Sequence, residues 1–500
     1  MSWEAMEVSM SKTRRGKYTD NRICYISMCK GDMRLYLRRK GKLPCFSYLV
    51  RGKSFSFYRG KIQLFIEKLL FLPHYFGVGN FSYLSIGDKQ ELNFIAKGSA
   101  SELVAEMEDG TCLYKLGVLY GSNASGKSNM LWTLDEVFNL LTYPKANANM
   151  KITRCIPFVL TKEQPTEMFV SFYANGVRYD YHVIFNNAHI LHEELNYYPK
   201  GSKALFYERN YKGEKLQADI KFGVSLRLLQ KTQDSIRENT LNNHSVLSVC
   251  LKNTFKEDIA PLAELHSYIM EHYHDVDGET ENRGIVEILK AAYENDKKHQ
   301  FFCQMLKKAD LNITDFRPVL EDRTLTLDFR EHILKEDIPT SVKEDLLRPT
   351  VESIVFENRS DKGSFDIPLK FQSKGTLKYI RILDTLYDLI SGNHVYYLDE
   401  LGEDLHYDLL FYYLNVFLYN SEQSQLLITS QETTLLSQDV INENRGVVWF
   451  VEKNKDTVSS EYSRGDSYGL HKNLSLYNSY RIGRLGAKPE LGSIFVDLEE

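Results

Sequence analysis

Residues Gly121, Ser122, Asn123, Ala124, Ser125, Gly126, Lys127 and Ser128 read G-S-N-A-S-G-K-S. That spacing suits a phosphate-cradling loop, because each residue type has a separate task. Two glycines permit a tight turn whose backbone N–H groups point at phosphate oxygens. Lys127 offers a cation to the outer phosphates, and the Ser128 hydroxyl is a candidate ligand for Mg²⁺. Asn129 completes the set at the start of a helix pattern running to Leu140, so a helix N-terminus faces the anion. The chemistry implied is binding of ATP with Mg²⁺.

A second constellation lies far downstream, where Val395-Tyr396-Tyr397-Leu398 runs into Asp399-Glu400. Four apolar residues ending in two acids read as a buried parallel strand that delivers carboxylates to its C-terminal edge, where open α/β sheets hold ligands. Asp399 would then hold Mg²⁺ through water beside Ser128, and Glu400 would orient or deprotonate an attacking water. The competing reading is a strand end followed by an ordinary acidic turn, and the phosphate loop upstream favours the catalytic one.

These residues need elements to carry them. The run Leu116-Gly117-Val118-Leu119-Tyr120 supplies the strand before the loop. Residues 166–185 alternate apolar and polar side chains around Asn175-Gly176, the pattern of a hairpin. Gln164 precedes it, as a Q-loop residue or an exposed turn glutamine. Leu377, Ile380, Leu383, Leu386, Tyr387 and Ile390 recur at helical spacing after Gln372-Ser373-Lys374-Gly375-Thr376. Between 202 and 310 the pattern is mostly helical, with Leu226, Leu228, Leu229, Leu247, Leu251, Leu262, Leu265, Ile269, Ile285, Ile288 and Leu289 as inner positions. It lacks the sustained heptads of a long coiled coil. His272-Tyr273-His274-Asp275-Val276-Asp277 reads as a solvated loop rather than a metal site, and 324–329 and 353–356 as strands.

The loop G-x-N-x-S-G-K-S-N at 121–129 resembles that of ABC-type ATPase heads, as in SMC, RecF and OLD proteins. The segment 76–81, then 91–94, resembles the opening strands of bacterial AAA ATPases of the abortive-infection and OLD-like group. Leu405-His406 is similar to the end of their D-loop, 425–431 to their switch strand, and 480–489 to their C-terminal signature. The resemblance implies that Ser373 and Gly375 are signature residues touching the γ-phosphate held by the other protomer, and that the working form is a homodimer or higher oligomer. It places Gln431 where the family carries a His near the γ-phosphate. Gln still hydrogen-bonds but carries no charge, which implies slow hydrolysis. His406 is read as no substitute. OLD-type nucleases add a metal-dependent Toprim domain after the ATPase, so a nuclease or toxin effector is expected on another, nearby-encoded chain.

Composition fits this class. Five hundred residues, 43% hydrophobic, can bury a large core. Seven scattered cysteines show neither a C-x-x-C pair nor a Cys–His spacing suggestive of zinc, which fits a reducing cytoplasm. The most apolar stretch, 64–79, is interrupted by Glu67, Lys68 and Pro73, so no membrane span is expected.

Charge is uneven. Residues 1–70 hold sixteen basic and five acidic side chains, a net +11, which leaves −16 for the rest. Interleaved Tyr and Phe would suit contact with nucleic acid, cations on phosphates and rings on bases. A small separate fold, a disordered tail and a stretch preceding the natural start compete with that reading, and an extension that is poorly folded or not native is favoured over nucleic-acid contact. The expected architecture is therefore α/β: an ABC-type P-loop NTPase head with a mainly helical insertion and a basic N-terminal extension. Its parts are the extension at 1–73, a first ATPase lobe at 74–200, a helical lid or arm at 201–312 and a second lobe at 313–500. The expected role is an ATPase sensing or regulating in anti-phage defence or genome maintenance. The alternatives are a nucleotide-gated scaffold and a RecF-like repair ATPase.

Overall fold

Contacts divide the chain into two units, Met1–His74 and Tyr75–Glu500. The computed structural model describes residues 22–29, 32–39, 46–51, 77–489 and 492, apart from 98–100, 153–155, 214–218, 253–258, 275–283, 310, 323–326, 337, 341, 344–346, 349 and 472. In the first unit β1 (Arg22–Cys29), β2 (Asp32–Arg39) and β3 (Phe46–Arg51) form an antiparallel three-stranded sheet. The side chains of the basic arm lie outside the described residues, so its proposed nucleic-acid face does too.

The second unit begins with β4 (Gly77–Phe81), β5 (Gln90–Asn93), β6 (Val104–Glu106) and β7 (Cys112–Tyr114). Then come β8 (Leu116–Gly121) and α1 (Lys127–Thr142). The alternating segment forms β9 (Thr166–Ala174) and β10 (Val177–Phe185), closed by Asn175 and Gly176, both at positive φ as a tight hairpin demands. Next are β11 (Ile190–Tyr197), β12 (Ala204–Asn210) and β13 (Asp219–Phe222). With β4 and β5 they make a seven-stranded antiparallel sheet ordered β13-β12-β11-β10-β9-β4-β5. The stretch 201–312 thus opens on two strands of this sheet before turning helical.

Its helices are α2 (Gln230–Asn239), α3 (Ala260–His272), α4 (Ile285–Glu294) and α5 (Asp296–Lys308), with the short strand β14 (Tyr273–His274) between α3 and α4. A separate sheet follows, β15 (Ile313–Asp322), β16 (Thr350–Ser360) and β17 (Gly363–Pro368), with α6 (Leu327–Lys335) inside it in sequence. The strand expected at 324–329 is corrected: 327–329 open α6, and the pairing strand lies earlier, in β15. The chain ends with α7 (Lys374–Ser391), β18 (Val395–Leu398), α8 (Tyr407–Asn420), β19 (Gln425–Ser430), α9 (Asp439–Glu443), β20 (Val448–Lys453), β21 (Ser460–Arg464) and α10 (Leu476–Arg481).

The central sheet, ordered β14-β18-β19-β8-β20-β21, is parallel except for β21. Alternation along its strands sends side chains to two cores. Leu119, Tyr397, Leu427 and Trp449 pack with α1, α3 and the antiparallel sheet. Val118, Tyr120, Tyr396, Leu398, Leu426, Ile428 and Phe450 face α4, α5, α7 and α8 on the opposite side. Covering both faces is why these strands read as unbroken apolar runs.

Among the inner positions expected in 202–310, Leu229 and Leu251 are exposed, at 49% and 53%. Leu229 precedes α2 and Leu251 ends a 3₁₀ turn, where a helical period does not apply. The His272–Asp277 reading also changes. Tyr273 and His274 pair with β18 as the sheet's edge strand, His274 stacks on Tyr396, and its Nε2 lies 3.1 Å from His394 Nδ1. Asp275, Val276 and Asp277 lie outside the described residues. Among the described residues no helix is long and apolar enough to cross a membrane.

Candidate functional site

β8 is buried along its whole length and runs between β19 and β20, so the loop after it leaves from the middle of the sheet. The loop is held in an uncommon backbone shape, with Ala124 at φ +59° and Gly126 at φ +107°. A side chain at Gly126 would also collide with Ser460 Oγ and sit 2.6 Å from Ser85 Oγ, so glycine is required there on two grounds. Lys127 opens α1 and turns back over its own loop, donating to Gly121 O at 3.1 Å and Ser122 O at 3.2 Å. Burial pulls its pKa down, opposed by the negative charges of Glu400 and Asp399. Ser122, Ser128 and Asn129 are partly exposed, Asn123 and Ala124 are exposed, and Gly121 and Ser125 are buried.

The loop is braced from the β20–β21 hairpin, a contribution not legible in the motif itself. Ser460 Oγ donates to Ser125 O at 2.5 Å, and Tyr462 OH donates to Gly126 O at 2.5 Å. Ser85 Oγ lies 2.6 Å from Ser460 Oγ and accepts from Asn129 Nδ2 at 2.5 Å. These bonds occupy the carbonyls of Ser125 and Gly126, while within the loop Ser125 N donates to Ser122 O at 3.2 Å and Asn129 N to Gly126 O at 3.1 Å.

Parallel pairing of β18 with β19 sets Leu398 opposite Ile428 and carries Asp399 up to Thr429. The Thr429 hydroxyl donates to Asp399 Oδ1 and accepts from Glu400 N, the latter at 2.8 Å. Thr429 is fully buried and was not singled out as a site residue; the available signal was a pair of hydroxyl residues, Thr429 and Ser430, ending a buried strand. Glu400 sits at φ +46°, a strained shape for a non-glycine residue that turns its side chain out of the strand line. Gln431 Nε2 donates to Glu400 Oε1 at 2.7 Å. Glu400, Asp399, Gln431 and the Lys127 field therefore meet at one sheet edge.

Ser373 caps α7, its hydroxyl accepting from Thr376 N at 3.1 Å, and it is exposed. Gly375 faces Asp404 O, which a Cβ would approach to 3.1 Å, so the segment is packed against the turn after Glu400 in its own chain. His406 caps α8 by accepting from Asp408 N at 3.3 Å and is exposed, a structural role. Gln164 lies exposed in a turn.

A family model described as "AAA domain, putative AbiEii toxin, Type IV TA system" matches residues 116–437. The chain belongs to this AAA family. The match begins with the first residue of β8 and includes the loop, the α7 segment, Asp399, Glu400 and Gln431. In keeping with it, the fold is α/β, with the loop leaving the C-terminal edge of a mainly parallel central sheet. Among solved structures, an SMC head bound to the C-terminal winged-helix domain of ScpA is similar at 14% identity, covering 81% of this chain and 100% of that one with a TM-score of 0.39. The SMC head domain from Thermotoga maritima is similar at 12% identity, covering 78% of this chain and 99% of that one with a TM-score of 0.33. No curated protein matches.

Proposed function

We propose that this AAA head binds and slowly hydrolyses ATP as a head-to-tail homodimer. Two ATP molecules would be sandwiched, each between Lys127 of one protomer and Ser373 of the partner subunit, with Gly375 beside it. Residues 121–129 hold the phosphates, and Ser128 and Asp399 hold Mg²⁺. Mg²⁺ neutralises charge on the transferred phosphoryl group when bound. Glu400 orients the attacking water and Gln431 contacts the γ-phosphate. The observation that carries the reading is the convergence of the buried Lys127 side chain with two carboxylates at the C-terminal edge of β8, β18 and β19. The donor set suits the ligand: Lys127 has three N–H bonds and two carbonyl partners, so a phosphate oxygen can take the third.

In this reading the first lobe spans 74–200, the insertion 201–312 and the second lobe 313–500. The cellular role is sensing or regulation in anti-phage defence or genome maintenance in the cytoplasm, through a separate nuclease or toxin and with nucleic acid as a candidate trigger. The toxin–antitoxin wording of the family description supports it. A nucleotide-gated scaffold is the second reading, favoured by the bond that ties Glu400 to an uncharged Gln431.

Two variants test the proposal. Lys127→Ala removes the main phosphate cation and should abolish ATP binding in calorimetry; undiminished affinity would refute the assignment. Glu400→Gln keeps the metal site and loses the base, so ATP should trap a persistent dimer in light scattering. Hydrolysis by that variant at the wild-type rate would remove Glu400 from the mechanism.

A further inference from the structure

Away from the nucleotide edge, α5 and β15 bring together three different metal-ligating chemistries. His299 and Cys303 are four residues apart on α5, hence on one face of the helix. Asp315 comes from β15, where the pairing with β16 shifts register between Ile313 and Asp315, an irregularity of the kind that re-aims a side chain. His299 Nε2 lies 2.8 Å from Asp315 Oδ1 and Cys303 Sγ lies 3.6 Å from the same oxygen. Among the described residues this trio is a group of potential ligands whose atoms all fall within 4.8 Å of one another.

We propose that His299, Cys303 and Asp315 form a binding site for a divalent cation of the zinc class. Imidazole nitrogen, thiolate sulfur and carboxylate oxygen are the ligands of a borderline-soft ion, and Mg²⁺ and Ca²⁺ take oxygen instead. Ligand atoms about 2.0–2.3 Å from a tetrahedral zinc lie roughly 3.3–3.8 Å apart, so the Cys303–Asp315 spacing of 3.6 Å already fits and the His299–Asp315 contact at 2.8 Å would have to open. Asp315 Oδ1 accepts from His299, from Cys303 and from Phe316 N at 2.8 Å, and the thiol contributes only a weak bond to it. Ligation takes the Cys303 side chain as thiolate, so metal entry displaces its proton to solvent. Asp315 is half-exposed, which leaves the fourth position to water.

The ion would tie α5 to the sheet β15–β17 at a joint that also bears on α7. Lys298, adjacent to His299, pairs with Asp384 at 2.6 Å, and Phe301 packs on Tyr387 with ring centres 5.4 Å apart. The proposal is independent of the nucleotide chemistry.

The test uses the full chain, stripped with a chelator and titrated with Co²⁺ in the absence of nucleotide. One equivalent of Co²⁺ should develop thiolate-to-cobalt charge-transfer absorption, which an oxygen-rich Mg²⁺ site cannot give. Cys303→Ser should lose that band and keep ATP binding; no band in the wild type, or an undiminished band in the variant, overturns the site. Should Cys303→Ser fail to fold, wild-type protein decides the matter through alkylation of Cys303 followed by peptide mass spectrometry. Zn²⁺ should slow labelling at least tenfold where Mg²⁺ does not, and equal labelling with and without Zn²⁺ overturns the proposal.

Discussion

Gln431 Nε2 holds Glu400 Oε1 at 2.7 Å, linking the residue just past β19 to the second acid past β18. The amide occupies one carboxylate lone pair of the proposed base and has no charge to offer a phosphate. Gln431→His is expected to raise steady-state ATP turnover with little change in ATP affinity, because the added interaction acts mainly in the transition state. Phosphate-release assays read both quantities. A wild-type rate of about 1 s⁻¹ or faster, with no gain from His, removes the main support for the scaffold reading.

Thr429 is the hinge of the acidic pair, since one hydroxyl serves both Asp399 and the Glu400 N–H. Thr429→Val keeps the shape of a buried β-branched side chain and deletes only these bonds. Leaving buried polar groups unmatched costs about 1–3 kcal/mol, so hydrolysis should fall by roughly 5- to 150-fold. Turnover equal to wild type, with the variant folded, would show that Asp399 and Glu400 are positioned by other contacts.

The edge strand β14 makes stability depend on pH. Burial, then the charges of His394 and His272, lower the His274 pKa from 6.5 to about 4. Between those values the unfolded chain binds more protons than the folded one, so stability is full above the unfolded value and is lost as pH falls toward about 4. His274→Phe, which retains an aromatic ring against Tyr396, should flatten the dependence of Tm on pH across that window. Parallel wild-type and variant curves in calorimetry would assign the dependence to other groups.

The basic N-terminal stretch gives a prediction from charge alone. If residues 1–70 contact nucleic acid, removing them should weaken DNA or RNA binding and flatten its salt dependence, because counterion release scales with the phosphates neutralised. Unchanged affinity and slope in a folded, ATP-hydrolysing remainder would exclude that stretch as the nucleic-acid contact.

What the sequence determined by itself was local chemistry carried on contiguous residues. The loop at 121–129 is legible because glycine, lysine and serine must stand at fixed offsets for one turn to hold a phosphate. The apolar run into Asp399-Glu400, and the hairpin at Asn175-Gly176, are legible because each is dictated within a few residues. Helix periodicity at 374–391 likewise needed no partner to be read. Tertiary structure decided what depends on register and on segments far apart in the chain. Thr429 meets Asp399 only because β19 pairs with β18 in one parallel register, and a slip of one residue would put its hydroxyl on the other face. Ser460 and Tyr462 brace a loop more than three hundred residues earlier, and no local pattern encodes that approach. His299 and Cys303 show a four-residue spacing in the sequence, but Asp315 joins them only through the packing of α5 on an irregular β15. Side-chain type is a property of the residue, whereas convergence is a property of the fold: strand order and register set which side chains share an edge, and these are fixed by burial of the two cores together.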